Sequence, residues 1–206
     1  MNPKRLWSFA RPGPVAAALL FFTAGIKPSE ARDWVSKIWT SPNAPSGPFT
    51  DLAVGPDGYL LVASGEGLRR FDGIGFGNSS DGVQSESYGW QATAVFAARG
   101  GDVWVGFRGE GVERRRGPTR RIFRVREHET LRFVRSFWED GTGAVWVASD
   151  AGLSVIREDR CLPQPAPPGR ITYRVKGSPQ DLPWVATDFG LFELKDGRYV
   201  PIAGQG

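Results

Sequence analysis

The residues that build most catalytic and metal centres are scarce in this sequence. Its 206 residues include one cysteine, Cys161, and one histidine, His128. A single cysteine excludes an internal disulfide and a cysteine-based metal site, and a single histidine excludes most His-dependent catalytic and zinc arrangements. Carboxylates are plentiful, but most stand at turn positions, and no pair stands out as acid and base. We therefore expect a non-enzymatic chain with no cofactor and no metal, and we interpret Cys161 as a loop thiol beside a proline-rich connector.

A long hydrophobic run is also missing. The longest one, residues 15–26, is too short to cross about 30 Å of hydrocarbon as a helix. It follows three basic residues, and Ser29 and Ala31 provide small side chains at the positions that signal peptidase reads. This pattern predicts a signal peptide over residues 1–31, cleavage near Ala31 and an exported, periplasmic protein. An uncleaved anchor or a buried hydrophobic segment is the alternative.

The basic charge of the chain does not point to nucleic acid. The formal net charge is +4, but residues 1–31 contain four basic residues and one acid. The chain that remains after cleavage would therefore be close to neutral. The densest basic run, residues 114–135, also contains acids, and we interpret it as the solvated outer strand and connector of a sheet. Contact with an anionic ligand or a polysaccharide is the alternative.

Glycine is abundant, with 27 residues, and it punctuates a repeat. Four segments align: "DGYLLVASGEGLRRFDG", "GDVWVGFRGEGVERRRG", "GAVWVASDAGLSVIRED" and "DLPWVATDFGLFELKDG". Each contains an anchor that is leucine or tryptophan, then a valine, a small residue, a turn and a glycine. The anchors are Leu61, Trp104, Trp146 and Trp184, and the turn glycines are Gly67, Gly111, Gly152 and Gly190.

The turn glycines lie 44, 41 and 38 residues apart, which is the spacing of propeller blades. Each unit reads as a β-rich run, a tight turn, the anchored strand, the glycine turn, a third strand and a weaker fourth strand. The repeats fall near residues 50–73, 93–117, 133–159 and 171–197. We predict an all-β fold, a β-propeller-type array of about four antiparallel blades that is incomplete and open. The tryptophans are expected to fill the space between blades.

Two repeats depart from this pattern. The second has one extra residue, Arg108 or Gly109, before its turn glycine, which predicts a bulge or a longer turn. The fourth has Pro183 directly before Trp184. Because proline removes a hydrogen-bond donor from a strand, we expect the fourth blade to be the least regular.

The pattern resembles the two-component regulator propeller repeat. The resemblance is carried by an Asp-Gly turn, the anchored strand, a Gly-Leu pair and the closing "RFDG" of residues 70–73, with Ile38-Trp39-Thr40 as the lead-in. It implies a periplasmic sensor region like those of sensor histidine kinases and diguanylate cyclases, in which propellers have about seven blades. Four blades then imply a fragment of a longer receptor, or closure by a partner such as a second copy. Any membrane contact would come through downstream segments.

The ligand is expected to be a small molecule or a glycan bound by loops. The longest polar connector, residues 75–91, contains Tyr88 and Trp90, whose rings could stack on a sugar. Packing of both rings against a blade edge is the alternative. Two other functions stay open: a propeller enzyme, lyase or glycosidase, acting on polysaccharide, and a secreted protein-interaction scaffold. An enzyme would need an acid and base pair or a metal cluster near the axis of the blades.

Overall fold

The computed structural model describes residues 44–45, 48–78 and 89–202. These residues belong to one compact unit, Trp39–Gly206, and a second unit, Met1–Ile38, lies outside them. The predicted signal peptide, the lead-in Ile38-Trp39-Thr40 and Tyr88 therefore lie outside the described residues.

The described residues form four antiparallel sheets of four strands each, with the strands in chain order. Sheet I contains β1 (Phe49–Val54), β2 (Leu60–Ser64), β3 (Gly67–Phe71) and β4 (Phe76–Asn78). Sheet II contains β5 (Ala92–Ala97), β6 (Val103–Phe107), β7 (Gly111–Arg116) and β8 (Thr119–Arg124). Sheet III contains β9 (Val134–Glu139), β10 (Val145–Ser149), β11 (Gly152–Arg157) and β12 (Arg160–Pro163). Sheet IV contains β13 (Thr172–Gly177), β14 (Pro183–Thr187), β15 (Gly190–Lys195) and β16 (Arg198–Pro201).

The only helical element among the described residues is a 3-10 turn, Glu129–Leu131, before β9. No helix in that part of the chain is long and apolar enough to cross a membrane. The prediction of an all-β fold built from four blade-like sheets is confirmed.

The four turn glycines share one backbone conformation. Gly67, Gly111, Gly152 and Gly190 have φ angles of 104°, 107°, 131° and 146°. L side chains rarely adopt these angles, so glycine lets the chain reverse between the second and third strands. In sheet I, Ser64 Oγ donates to Gly67 O at 3.0 Å across this turn. The glycine period of the sequence is therefore the period of the hairpins.

The four anchors occupy one position in the second strand of their sheets. Each pairs across the hairpin with the residue three positions after the turn glycine. These opposite residues are Arg70, Arg114, Val155 and Glu193, in chain order. The four sheets share this register, but the residue opposite the anchor is basic in two sheets, apolar in one and acidic in one.

The first strands form an inner row in which β1, β5, β9 and β13 contact one another in succession. Side chains of one inner strand bond to the backbone of the next. Thr50 Oγ1 donates to Ala92 O at 2.8 Å, and Val95 N donates to Asp51 Oδ2 at 3.0 Å. Among the described strands, extensive contacts run from sheet I to sheet IV in order, and none joins sheet IV to sheet I. This is the open array that the repeat predicted.

Apolar cores fill the spaces between neighbouring sheets, and each core includes the anchor of the preceding sheet. Leu61 lies in the core between sheets I and II, and Trp104 in the core between sheets II and III. Trp146 packs, partly buried, against the core between sheets III and IV. Trp184 is half-buried on the far face of sheet IV. The first three anchors therefore fill the inter-sheet spaces, as expected.

Three local expectations have different outcomes. The extra residue of the second repeat lengthens the turn after β6, where Gly109 has φ 82°, and the β6–β7 pairing has no bulge. Pro183 opens β14 and pairs with Gly177, and sheet IV keeps four strands in the common register. The expectation of an irregular fourth blade is therefore wrong. Cys161 is also not a loop thiol: it lies in β12, is 9% exposed and belongs to an apolar core.

Candidate ligand-binding site

The turns between second and third strands and the connectors that enter the inner strands lie at one end of the sheets. Backbone hydrogen bonds join them in three sheets. Arg108 N donates to Gln91 O at 3.0 Å, and Asp150 N donates to Phe133 O at 3.1 Å. In sheet IV the Asp188 N–H makes the equivalent bond. This end, called the connector end below, is therefore a loop surface fixed to a rigid scaffold, the usual place for recognition.

Four side chains of the connector end form an alternating stack of guanidinium groups and rings. The Arg108 Cζ lies 5.5 Å from the centre of the Phe133 ring. The Arg135 Cζ lies 4.7 Å from the same ring and 5.5 Å from the Tyr173 ring. We call Arg108, Phe133, Arg135 and Tyr173 the arginine–aromatic stack. It spans sheets II, III and IV, because Arg108 follows β6, Arg135 lies in β9 and Tyr173 lies in β13.

The two arginines of the stack have no acidic partner among the described residues. Arg108 is exposed, whereas Arg135 is half-buried and its Nε is buried without a hydrogen-bond partner. Arg132 at the same end is paired with Asp150, at 3.4 Å. Stacking on rings holds a guanidinium in place while leaving its N–H groups free for an anion. The stack is therefore suited to a carboxylate, sulfate or phosphate group.

Trp90, the sequence candidate within the described residues, lies at the connector end but not in the stack. Its ring meets Phe107 edge to face at 5.3 Å, and the Arg124 Cζ lies 5.6 Å from the ring centre. It is half-buried and packs against the core between sheets I and II. This placement matches the alternative interpretation, a ring against a blade edge. Tyr88 lies outside the described residues.

The basic run of residues 114–135 covers the second half of β7, all of β8, the connector to β9 and the first two residues of β9. Several of its arginines are paired with acids of sheet II. Arg116 makes a bidentate contact with Asp102, Nε to Oδ1 at 2.6 Å and Nη2 to Oδ2 at 2.8 Å. Arg115 Nε lies 3.1 Å and Arg120 Nε 3.5 Å from Oε1 of Glu113, which is 0% exposed. The outer strands are therefore charged as expected, but the buried carboxylate was not predicted from the sequence.

Backbone hydrogen bonds or burial account for several of the shifted pKa values. Backbone N–H groups of Ile171 and Arg170 lower the pKa of Asp188, and those of Gly75 and Ile74 lower that of Asp72. Burial raises the pKa of Cys161 to about 11. Within the described ranges, no group of three His, Cys, Asp or Glu residues could hold a metal ion.

Sequence reasoning missed the stack, although the repeat alignment contained a clue. Arg135 and Tyr173 both occupy the second position of an inner strand, so the alignment already placed them in neighbouring blades. Phe133 directly precedes β9. Placing these residues on the alignment would have brought an arginine and two rings to one end of the sheets.

Solved structures resemble this fold, whereas no protein-family model and no curated protein matches the sequence. One is described as the extracellular domain of the hybrid two-component system BT3049 from B. thetaiotaomicron. It aligns with a TM-score of 0.63 and 17% identity over 77% of this chain and 25% of that one. Virginiamycin B lyase from Staphylococcus aureus aligns with a TM-score of 0.62 and 15% identity over 81% of this chain and 59% of that one. A streptogramin B lyase aligns with a TM-score of 0.61 and 8% identity, over 79% and 58%.

At these identities the likeness concerns the fold. This chain spans from about a quarter to about three-fifths of the length of those structures. The propeller arrangement of the four sheets is therefore common to proteins whose names describe a signalling domain and to proteins whose names describe lyases.

Proposed function

We propose that this chain is a non-catalytic, extracytoplasmic ligand-binding segment of a sensor protein. In this proposal the arginine–aromatic stack holds an anionic group of the ligand. The observation that carries it is Arg135, a half-buried guanidinium between two rings with a buried Nε and no acidic partner among the described residues. An ordered guanidinium of this kind loses little side-chain entropy when it binds a carboxylate or sulfate.

The ligand is a small molecule or a glycan that carries such a group. The rings of Phe133 and Tyr173 offer apolar area beside the guanidinium groups. A sugar acid or a sulfated sugar presents both an anion and a hydrophobic face of C–H groups, so it fits this surface better than a free inorganic anion. Nucleic acid is not the proposed partner, because Arg115, Arg116 and Arg120 of the outer strands are paired with acids of the same sheet.

The sensor role rests on the repeat pattern and on the fold. The repeats resemble those of two-component regulator propellers, and the fold is similar to that of the BT3049 extracellular domain. With the predicted signal peptide, these features support a periplasmic location. The proposed partners are the rest of a receptor or a second copy of the chain. A polysaccharide lyase or glycosidase and a secreted interaction scaffold are the competing functions.

Isothermal titration of the full chain tests the proposal. The probes are galacturonate oligomers, sulfated glycans and inorganic sulfate, with neutral glucose oligomers for comparison. We expect an acidic or sulfated glycan to bind, with affinity that falls as salt rises. Arg135→Gln and Arg108→Gln should each weaken binding about tenfold, the effect of one charge-assisted hydrogen bond. Arg198→Gln, which removes the same charge from an exposed position of β16, should leave binding unchanged.

Two results would overturn the proposal. One is that no acidic or sulfated probe binds, or that Arg135→Gln binds them as well as the unaltered chain. The other is release of products from a polysaccharide, which would favour the enzyme. Binding of a protein partner that is insensitive to both arginine variants would favour the scaffold.

A further inference from the structure

A polar cleft separates sheets II and III at the end opposite to the connector end. Its volume is about 520 Å³, within the usual range for small-molecule sites. The β5–β6 and β9–β10 turns form its rim, and Trp104, Val145 and Ile156 lie at its apolar base. We call it the II–III cleft. Nothing in the proposed function uses it.

The base of the cleft contains a buried hydrogen-bond donor that is not used. Trp104 is 4% exposed, and its Nε1 is buried without a partner among the described residues. A buried N–H without an acceptor destabilises the fold, because it has lost its hydrogen bond to water and gained none in return. Such a group in a native fold needs an explanation, and Trp104 is one of the residues that line the cleft.

The equivalent tryptophans of the other repeats show what is missing. Trp146 Nε1 donates to Asp140 Oδ2 at 2.9 Å, and Trp184 Nε1 donates to Glu193 Oε1 at 2.9 Å. Opposite Trp104 the register places Arg114, a donor, whose Cζ lies 5.8 Å from the indole centre. Of the three tryptophan anchors, only Trp104, which lines the cleft, therefore has an N–H without an acceptor among the described residues.

Four carboxylates and two guanidinium groups line the cleft, and most of them are paired. Arg114 Nη1 lies 2.5 Å from Asp159 Oδ1, and Arg116 makes its bidentate contact with Asp102. Glu139 at the rim accepts from Arg99 N at 2.8 Å. A charged ligand would compete with these pairs. A hydroxyl group, which both donates and accepts, can bond to paired carboxylates and guanidinium groups without separating them.

The turn that closes one side of the cleft is unusual. Glu158 and Asp159, the two turn residues between β11 and β12, have φ angles of 47° and 64°. The matching turn of sheet IV uses Asp196 and Gly197 at φ 50° and 72°. Both turn residues of sheet III therefore have a left-handed backbone. The position of Asp159 is occupied by glycine in sheet IV. Both carboxylates are thereby placed on the cleft, at a cost in backbone strain.

We propose that the II–III cleft binds a small uncharged polyhydroxylated molecule, a polyol or a monosaccharide, one oxygen of which accepts the Trp104 N–H. The missing acceptor excludes a simple ammonium ligand, because an ammonium group only donates. The paired carboxylates disfavour an anion. This site is independent of the arginine–aromatic stack, so either can fail without the other.

Indole N–H resonances of the full chain test this proposal by NMR. The probes are glycerol, erythritol, glucose and galactose, with glucosamine and glucuronate as charged counterparts. We expect a neutral probe to shift the Trp104 resonance saturably, while those of Trp146 and Trp184, which already have acceptors, stay in place. Trp104→Phe should weaken binding about tenfold, because the ring remains and one buried hydrogen bond is lost. Trp146→Phe is the matched control and should bind as before.

Asp159→Asn provides a second variant at an exposed rim position, so the test does not depend on the folding of Trp104→Phe. It should weaken binding with no change in the circular dichroism spectrum. The proposal is overturned if no neutral probe moves the Trp104 resonance, if only a charged probe does, or if Trp104→Phe is folded and binds as tightly as the unaltered chain.

Discussion

Replacing Gly106 with alanine is expected to push sheets II and III apart. A Cβ at this position would lie 2.5 Å from Val134 Cβ and closer still to its Cγ1. Carbon atoms pack at about 3.5–4.0 Å, so the two strands or the valine must give way by roughly 1 Å. Val134 is 0% exposed, and its β-branched side chain has little rotamer freedom. The new methyl group therefore has no space to enter.

The size of the effect follows from two opposing contributions. Overpacking a core costs about 1–3 kcal/mol. Alanine in place of glycine also stabilises the protein by about 0.4–1 kcal/mol, because it lowers the conformational entropy of the unfolded chain. We expect Gly106→Ala to lower the free energy of unfolding by about 1–2 kcal/mol in urea titration, and the melting temperature by about 2–8 °C.

A double-mutant cycle tests the stated cause. Val134→Ala removes the atoms that the new Cβ would meet, so the double variant should be more stable than the sum of the single effects by about 1 kcal/mol. Gly77→Ala is the matched control: Gly77 also lies in a strand, and a Cβ there meets nothing within 4 Å. Equal stability of Gly106→Ala and the unaltered chain, with no coupling to Val134, would refute the close packing of these sheets.

Two further predictions concern buried carboxylates. Glu113→Gln should lower the free energy of unfolding in urea by about 3 kcal/mol, because Arg115 and Arg120 lose their buried counter-charge. Glu127→Gln is the control at an exposed ion pair and should lower it by less than about 1 kcal/mol. Burial disfavours the charged form of Asp140, but hydrogen bonds, one from Trp146 Nε1, outweigh it and lower its pKa. Because its pKa is lowered, the Asp140 carboxylate contributes stability that is complete above about pH 4, the pKa of an unperturbed aspartate. This contribution is lost as the pH falls through the lower pKa of the folded state. Melting curves should therefore show Asp140→Asn less stable than the unaltered chain at pH 7, with a smaller difference at pH 3.

Much of the scaffold could be predicted from the sequence, because the same physical requirement recurs in each unit. A hairpin that reverses over two or three residues needs a backbone that L side chains avoid, so Gly111 and its equivalents stand out at a fixed period. The space between twisted sheets needs one large side chain per blade, which Trp104 and Trp146 provide. Local rules of this kind leave a visible trace in the sequence.

The rest could not be predicted, because it depends on which sheet covers a given strand. Cys161 follows a turn and precedes a proline-rich segment, which is a loop composition. It is buried because sheet II covers its side chain. Glu113 directly precedes a basic run that looks solvated, but it lies on the face of sheet II that is turned to sheet I and is 0% exposed. Composition alone does not indicate which side of an outer strand a neighbouring blade will cover.

Function in a repeat fold is best sought where one unit breaks the common plan. The register places a residue opposite each anchor, three positions after the turn glycine. In sheet IV this residue is Glu193, which accepts a hydrogen bond from Trp184 Nε1. In sheet III, Trp146 Nε1 donates instead to Asp140 in a turn. In sheet II the position is Arg114, and the indole is left without an acceptor. Because the packing need is the same in all three sheets, packing does not account for this difference, whereas the ligand proposed for the II–III cleft would supply the missing acceptor.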